Sequence, residues 1–285
     1  MTQIQDLSGR LSKLQTQVST GLKMTQPEDN PAAMGRLLIL QSQSSQLTQY
    51  QENASHALEI SQATSAALQQ LKTISDRTSE ITTLGASTES AASASSYATE
   101  INQLIEQAVQ LGNSTLSGNY LFSGTAVATA PFGVDRDTNG DATLITYYGN
   151  TESASIQLSD TASIDPASSS DTNQGICDYI NNLISLRDDL NSNDSTSVAA
   201  LQSSLLANED AIINAISEQG AVQMRIEVTQ KQQESRATEL DTLISNERDA
   251  DLTESSVRLS QAQVAYQASL QSTAMIMNKS LLDYL

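Results

Sequence analysis

The sequence predicts a mainly α-helical fold: a long antiparallel helical rod with a coiled coil built from both chain ends, carrying a small β-rich insert. Three observations carry this. Apolar residues recur in steps of three and four at both ends: Ile4, Leu7, Leu11, Leu14 and Val18, then, with gaps, Leu259, Ala262, Tyr266, Leu270, Met277 and Leu281, closing on Leu285. That spacing lies along one face of a helix and asks for a partner helix. The four prolines are Pro27, Pro31, Pro131 and Pro166, so 32–130 and 167–285 are free of the residue that breaks helices. Aromatic residues make up only 4% of the 285, with no Trp. A compact core of that size uses more large rings, whereas narrow helical seams are filled by Leu and small residues.

In chain order, the first helix ends at Gly21, and PEDNP (27–31) forms the loop that follows. Asn30 is placed to cap the second helix, with Pro31 at its first position. The second helix is expected over 32–84, interrupted at Gly85, and a third over 91–111, with Ile101, Leu104, Ile105 and Ala108 on one face. Six of the twelve glycines then fall between 113 and 175. There 142–148 and 153–158 read as two strands joined by a turn at Gly149-Asn150. Helices return at 176–190, at 197–248 and at 252–283. The long one, at about 1.5 Å per residue, would span roughly 75 Å. The division expected is 1–30 plus 250–285 as a terminal coiled-coil domain, 31–124 plus 176–249 as a helical rod domain, and 125–175 as the insert. Few contacts are expected to cross the insert's boundary.

Charge follows the same division. The net charge is −19. Residues 1–40 carry four basic and three acidic side chains, 250–285 two and three, and 41–249 eight and 27. Near-neutral ends are cheap to bury against neighbours, while an acidic middle stays solvated. No basic patch exists to displace counterions from a phosphate backbone, so no nucleic-acid partner is expected. No run of apolar residues is long enough for a membrane span. The start, MTQIQDLSGRL, lacks the pattern of a cleaved secretory signal.

Candidate chemistry is sparse, and no enzyme, cofactor or metal is expected. Asp135–Asp141 imitates the first half of a calcium loop, but its twelfth position is Thr146 rather than a bidentate Glu, so a polar turn is expected. His56 has no nucleophile motif beside it and reads as a helix-surface residue. Cys177 reads as a packed small hydrophobe, Arg187, Asp188 and Asp189 as a charged helix end, and Met275 and Met277 as seam fillers. The residues expected to form an assembly interface are Leu7, Leu11, Leu14, Val18, Leu259, Tyr266, Leu270, Met277, Leu281 and Leu285.

Three segments carry a family resemblance. Val18–Ala33, VSTGLKMTQPEDNPAA, resembles the junction at which the terminal helix of the flagellin superfamily enters its rod domain. Leu116–Gly124, LSGNYLFSG, is similar to the form found in that family's hook–filament junction members, where filament flagellins carry a variant. Asp249–Leu285 resembles the family's C-terminal helix, and its SLLDYL ending looks like that of the junction members. The first heptads begin later here than is usual in the family, and Leu22-Lys23 stands where Lys-Arg is common. The resemblance implies a structural subunit of the bacterial flagellum, exported without a cleaved signal and assembling outside the cell. It implies as partners copies of itself in a ring, the other hook-associated junction protein, flagellin, and the export apparatus with its chaperone. It also implies an inner layer of terminal helices and an outward-facing insert. The alternative is a filament flagellin of the same architecture. A chemoreceptor-type hairpin would need a membrane span and no β insert, and fits neither feature.

Overall fold

The computed structural model describes the backbone of residues 2–87 and 90–282, and side chains from 3 to 275 within those bounds. Six helices occur among them: α1 (Thr2–Thr20), α2 (Pro31–Ala86), α3 (Ala91–Gly112), α4 (Ser170–Asn191), α5 (Ser195–Arg248) and α6 (Leu252–Leu282). Between α3 and α4 lie six short strands: β1 (Thr115–Leu116), β2 (Asn119–Tyr120), β3 (Phe132–Arg136), β4 (Ala142–Tyr147), β5 (Ile156–Gln157) and β6 (Ser163–Ile164). They pair consecutively into three antiparallel two-stranded sheets. The chain divides into two compact units, 1–48 with 234–285, and 49–233.

The second unit is held by a seven-residue repeat on two helices. On α5, Val198, Leu205, Ile212, Gln219, Ile226 and Gln233 are all buried, each seven residues after the last. On α2, Ala54, Ser61, Leu68, Ser75 and Thr82 do the same. A strict repeat of seven keeps one face turned toward a partner helix. The two run antiparallel here. Lys72 Nζ lies 3.1 Å from Glu209 Oε1, and Gln219 Nε2 donates to Ser61 Oγ at 2.6 Å. The seam is narrow and hydroxyl-rich, which explains how a chain so poor in rings fills it.

The main core joins this part of α2 and α5 to α3, α4 and the β3–β4 sheet. Tyr179, Phe122, Phe132, Leu68, Leu71 and Ile101 are among its largest fully buried side chains. Tyr179 places its hydroxyl 3.2 Å from that of Thr78, and its burial raises the phenol's pKa far above the ordinary value. Two expectations fail at this core. Phe132, Ala142 and Ile145, from the β-rich segment, lie in the same cluster as the helices, so contacts do cross its boundary. Arg187 is more than a charged helix end: it is 6% exposed, and its Nη1 donates to Ala142 O at 2.7 Å and to Asn102 Oδ1 at 3.0 Å. A buried guanidinium needs several acceptors to offset its lost hydration, and this one obtains them by tying α4 to α3 and β4.

The strand pairing also differs from expectation. β4 pairs with the preceding β3, Phe132 opposite Tyr147 and Val134 opposite Ile145, not with 153–158. The deciding turn is Asp137–Gly140. Asp137 Oδ1 accepts the backbone N–H of Asn139 and of Asp141 at 2.8 and 2.9 Å, and Gly140 sits at φ +92°. This is the loop that imitates a calcium site; its carboxylate is spent on closing the hairpin. Asn150 instead turns its side chain to the N–H of Thr125 at 2.9 Å, which removes 149–150 as a hairpin turn.

A two-stranded sheet has two open edges, and here an asparagine closes each. Asn113, just past α3, accepts the N–H of Phe132 at 3.0 Å and donates to its carbonyl at 2.9 Å. Asn181, in α4, does the same for Ile145 at 2.9 and 3.0 Å. An amide supplies both the donor and the acceptor that a neighbouring strand would offer. Asn113→Asp keeps the shape but replaces the donor by a second acceptor facing Phe132 O. A loss of about 2 kcal/mol or more is expected in urea unfolding, while Asn113→Ser should fall between the two.

Smaller expectations hold. Asn30 Oδ1 accepts the N–H of Ala33 at 3.1 Å, the cap expected for α2. Cys177 is buried with Sγ 3.4 Å from Ile145 O, and burial pushes its thiol pKa up. His56 is exposed on α2. α4 starts earlier than expected, at Ser170, because the Ser169 hydroxyl caps it by accepting from Thr172 N at 3.2 Å.

Candidate assembly interface

The two chain ends meet in the first unit. Leu22 and Asp249 form an isolated antiparallel bridge; Lys23 N donates to Arg248 O, and Ala250 N to Gly21 O, both at 2.7 Å. Gly21, at φ +72°, turns the chain out of α1, where a side chain would be strained. Lys23 Nζ also donates to the carbonyl of Asn246, and Gln17 Nε2 to that of Lys23 at 2.8 Å. Arg36 forks onto Glu247 at 2.9 and 3.0 Å. The loop between α1 and α2 is closed by Asp29, which accepts from Thr25 N at 3.1 Å and pairs with Lys13 at 2.8 Å. The Lys13 hydrogen bond, then the Thr25 N–H, holds the Asp29 carboxyl below its usual range. Two segments singled out for their resemblance, 18–33 and the start of 249–285, thus form one junction.

From this junction α1 and α6 run side by side and pack together. On α1 the facing residues are Ile4, Leu7, Leu11, Leu14 and Val18, all half-buried. On α6 they are Ser255, Leu259, Ala262, Tyr266 and Ser269, again in steps of four and three. None of the five on α1 is fully buried, so the pairing gains only part of what complete burial of Leu and Val provides, about 1.5–3 kcal/mol each.

Six of the ten residues expected at the interface, Leu7, Leu11, Leu14, Val18, Leu259 and Tyr266, are brought together in this way. Leu270 is not: it is 43% exposed. The reason is length. α6 has 31 residues and α1 has 19, so an antiparallel pair starting from a common junction reaches the beginning of α1 near residue 270. Met275, expected to fill the seam, is 66% exposed because it lies on the opposite face of α6. The side chains of Met277, Leu281 and Leu285 lie outside the described residues. Sequence reading missed a second apolar stripe. Val257, Val264 and Met275, with Ala268 between them, lie opposite the seam at helical spacing, and the first three are 54, 64 and 66% exposed. α6 is therefore apolar on two faces, and only one is covered within the chain. A period search seeking one stripe merges the two.

No group of three or more potential metal ligands occurs among the described residues, and no described helix is long and apolar enough to cross a membrane.

The sequence profile of the bacterial flagellin N-terminal helical region matches residues 1–127, and that of the C-terminal helical region matches 206–285. The flagellar hook-associated protein 3 of Salmonella typhimurium is 30% identical over 160 residues, 55% of this chain and 48% of that protein. Its Escherichia coli counterpart is 29% identical over 144 residues, 50% and 43%. The chain thus spans about half the length of the curated relatives it matches. A Vibrio parahaemolyticus structure assigned to a flagellar hook-associated protein superposes with a TM-score of 0.69, over 78% of this chain and 100% of that one. At 18% identity that likeness speaks for the fold. With both helical regions of the family matched, and with a residue of each joined at the Leu22–Asp249 bridge, the chain belongs to the flagellin family.

Proposed function

We propose that the chain is a structural subunit of the bacterial flagellum at the hook–filament junction, not an enzyme, assembling through its terminal helices into the platform on which flagellin polymerises. The observation that carries assembly is the two-faced α6. One face is covered by α1, and the other leaves Val257, Val264 and Met275 exposed, an apolar stripe of the kind that marks an interface. The near-neutral charge of both ends favours burying that stripe between subunits. The position at the junction, rather than along the filament, is supported by the LFSG turn and by relatives named hook-associated protein 3. On this reading the neighbours are copies of the chain in a ring, the other hook-associated protein and flagellin. The export apparatus and a chaperone deliver the chain without a cleaved signal, and the strand-bearing segment 125–175 faces outward.

Complementation tests it. On this reading, a strain lacking its own junction protein is expected to release flagellin that fails to polymerise. Supplying this chain is expected to restore filaments on existing hooks. Continued loss of flagellin to the medium would overturn the reading. Long filaments made of this chain alone would make it a filament subunit instead.

A further inference from the structure

The second unit carries an apolar cleft unused by the terminal helices. It measures about 310 Å³ and is partly enclosed. Its walls are Ile60 from α2, Leu116 and Leu121 around the β1–β2 hairpin, Val127, and Ile156 and Pro166 from the strand-bearing segment. Three residues with polar side chains, His56, Asn119 and Tyr120, line it as well. No Asp, Glu, Lys or Arg is among its lining residues, although residues 41–249 hold 27 acidic side chains. An uncharged recess in so acidic a stretch selects an apolar occupant, preferably one with a polar tip.

The same unit presents such a group. Tyr148 is 62% exposed, and among the described residues it is the one aromatic that is exposed. It stands just past β4, in alternation with Leu144, itself 50% exposed. Its ring lies directly over Gly133 of β3, where a Cβ would come within 2.4 Å of the ring, and its N–H is tied to Pro131 O at 2.7 Å. The tyrosine is thereby held on a short, anchored sheet, and little side-chain freedom remains to be lost on docking. It does not line its own cleft.

We infer that Tyr148 of one copy seats in the Ile60–Leu121–Pro166 cleft of the next copy, its hydroxyl meeting His56 or Asn119. The inference rests on the reading of the chain as a self-assembling subunit. A knob and a recess at different places on one surface make a head-to-tail contact, the type that propagates around a ring rather than closing a two-fold dimer.

The test joins cross-linking to complementation. A Leu144→Cys/Ala154→Cys chain, which keeps Tyr148 and the side chains proposed to meet it, is assembled on hooks and treated with a short bismaleimide; Leu144 shares the face of Tyr148, Ala154 lines the cleft, and Cys177, 3% exposed, is out of reach. Products of two and more chains are expected from assembled junctions, and none from monomer. A mixture of the two single-cysteine chains should stop at pairs. In parallel, Tyr148→Asp should lower the number of filament-bearing cells by roughly tenfold, the loss of one interface anchor, and Tyr148→Phe should leave most of it. Filaments unchanged by Tyr148→Asp would overturn the inference. So would cross-links only to a protein of different mass, or assembled junctions without chain-to-chain product. The unmodified chain, complementing in the same strain, separates any of these from failure of the junction reading itself.

Discussion

Leu270→Glu is expected to stop assembly while leaving the monomer's thermal unfolding unchanged, whereas Leu11→Glu should stop assembly and weaken the first unit as well. The difference follows from where the two leucines sit. Leu270 is 43% exposed in the single chain, so a carboxylate there stays hydrated until a neighbour covers it. Covering it then costs several kcal/mol, on the order of the penalty for burying an unpaired charge. Leu11 is half-buried against α6, and glutamate there meets the seam in the monomer too. Complementation gives the assembly readout, and calorimetry of the monomer gives the other. Normal motility with both variants would remove the terminal helices from the interface.

Replacing 127–172 by a Gly/Ser linker is expected to abolish cooperative unfolding of the second unit. This reverses what the Gly- and Pro-rich sequence suggests. Phe132, 2% exposed, packs its ring 5.5 Å from that of Tyr147 and sits within the helical core. Truncation of such a ring to alanine typically costs about 3–5 kcal/mol. Ala142, Ile145, Leu158 and Ile164 are lost with it, and Arg187 loses its acceptor on Ala142. Two buried glutamines of the α5 repeat each lose an acceptor as well: Gln219 Nε2 donates to Pro166 O at 2.6 Å, and Gln233 Nε2 to Leu158 O at 2.8 Å. Phe132→Ala alone, followed by urea titration, checks the largest single contribution. A linker variant that melts as sharply as the parent would show the segment to be an appendage.

The helices were legible because their signals are local. Apolar spacing placed α1, α3 and α6, Pro31 and Asn30 placed the start of α2, and the absence of proline allowed 54- and 56-residue helices. The α2–α5 seam was harder, since five of its eleven repeat positions are Ser, Thr or Gln, which a search for apolar residues passes over. β3 was missed because Pro131-Phe-Gly reads as loop; what makes it a strand is Asn113, nineteen residues earlier, gripping Phe132. Arg187 read as no more than a charged helix end because its acceptors, Asn102 and Ala142, are distant in sequence. Of the candidate interface, the inner seam could be read from spacing. The outer stripe of α6 could not be separated from it until α1 was seen to cover one face only. Tyr148 and its cleft carry no sequence signal at all, being products of exposure and shape.

Hydrogen exchange, followed on a verified monomer and on assembled junctions, tests most directly whether assembly stabilises the marginally packed ends. The α1 seam has no fully buried residue, and an isolated helix of nineteen residues is marginal in water. Amides of 2–20 and 252–275 are therefore expected to exchange fast in the monomer and slowly in the junction. Those of 198–233, along the buried seven-residue repeat, should be slow in both. Protection of both ends in the monomer equal to that of 198–233 would show that α1 and α6 stabilise each other fully within one chain, and would contradict assembly as the event that stabilises them.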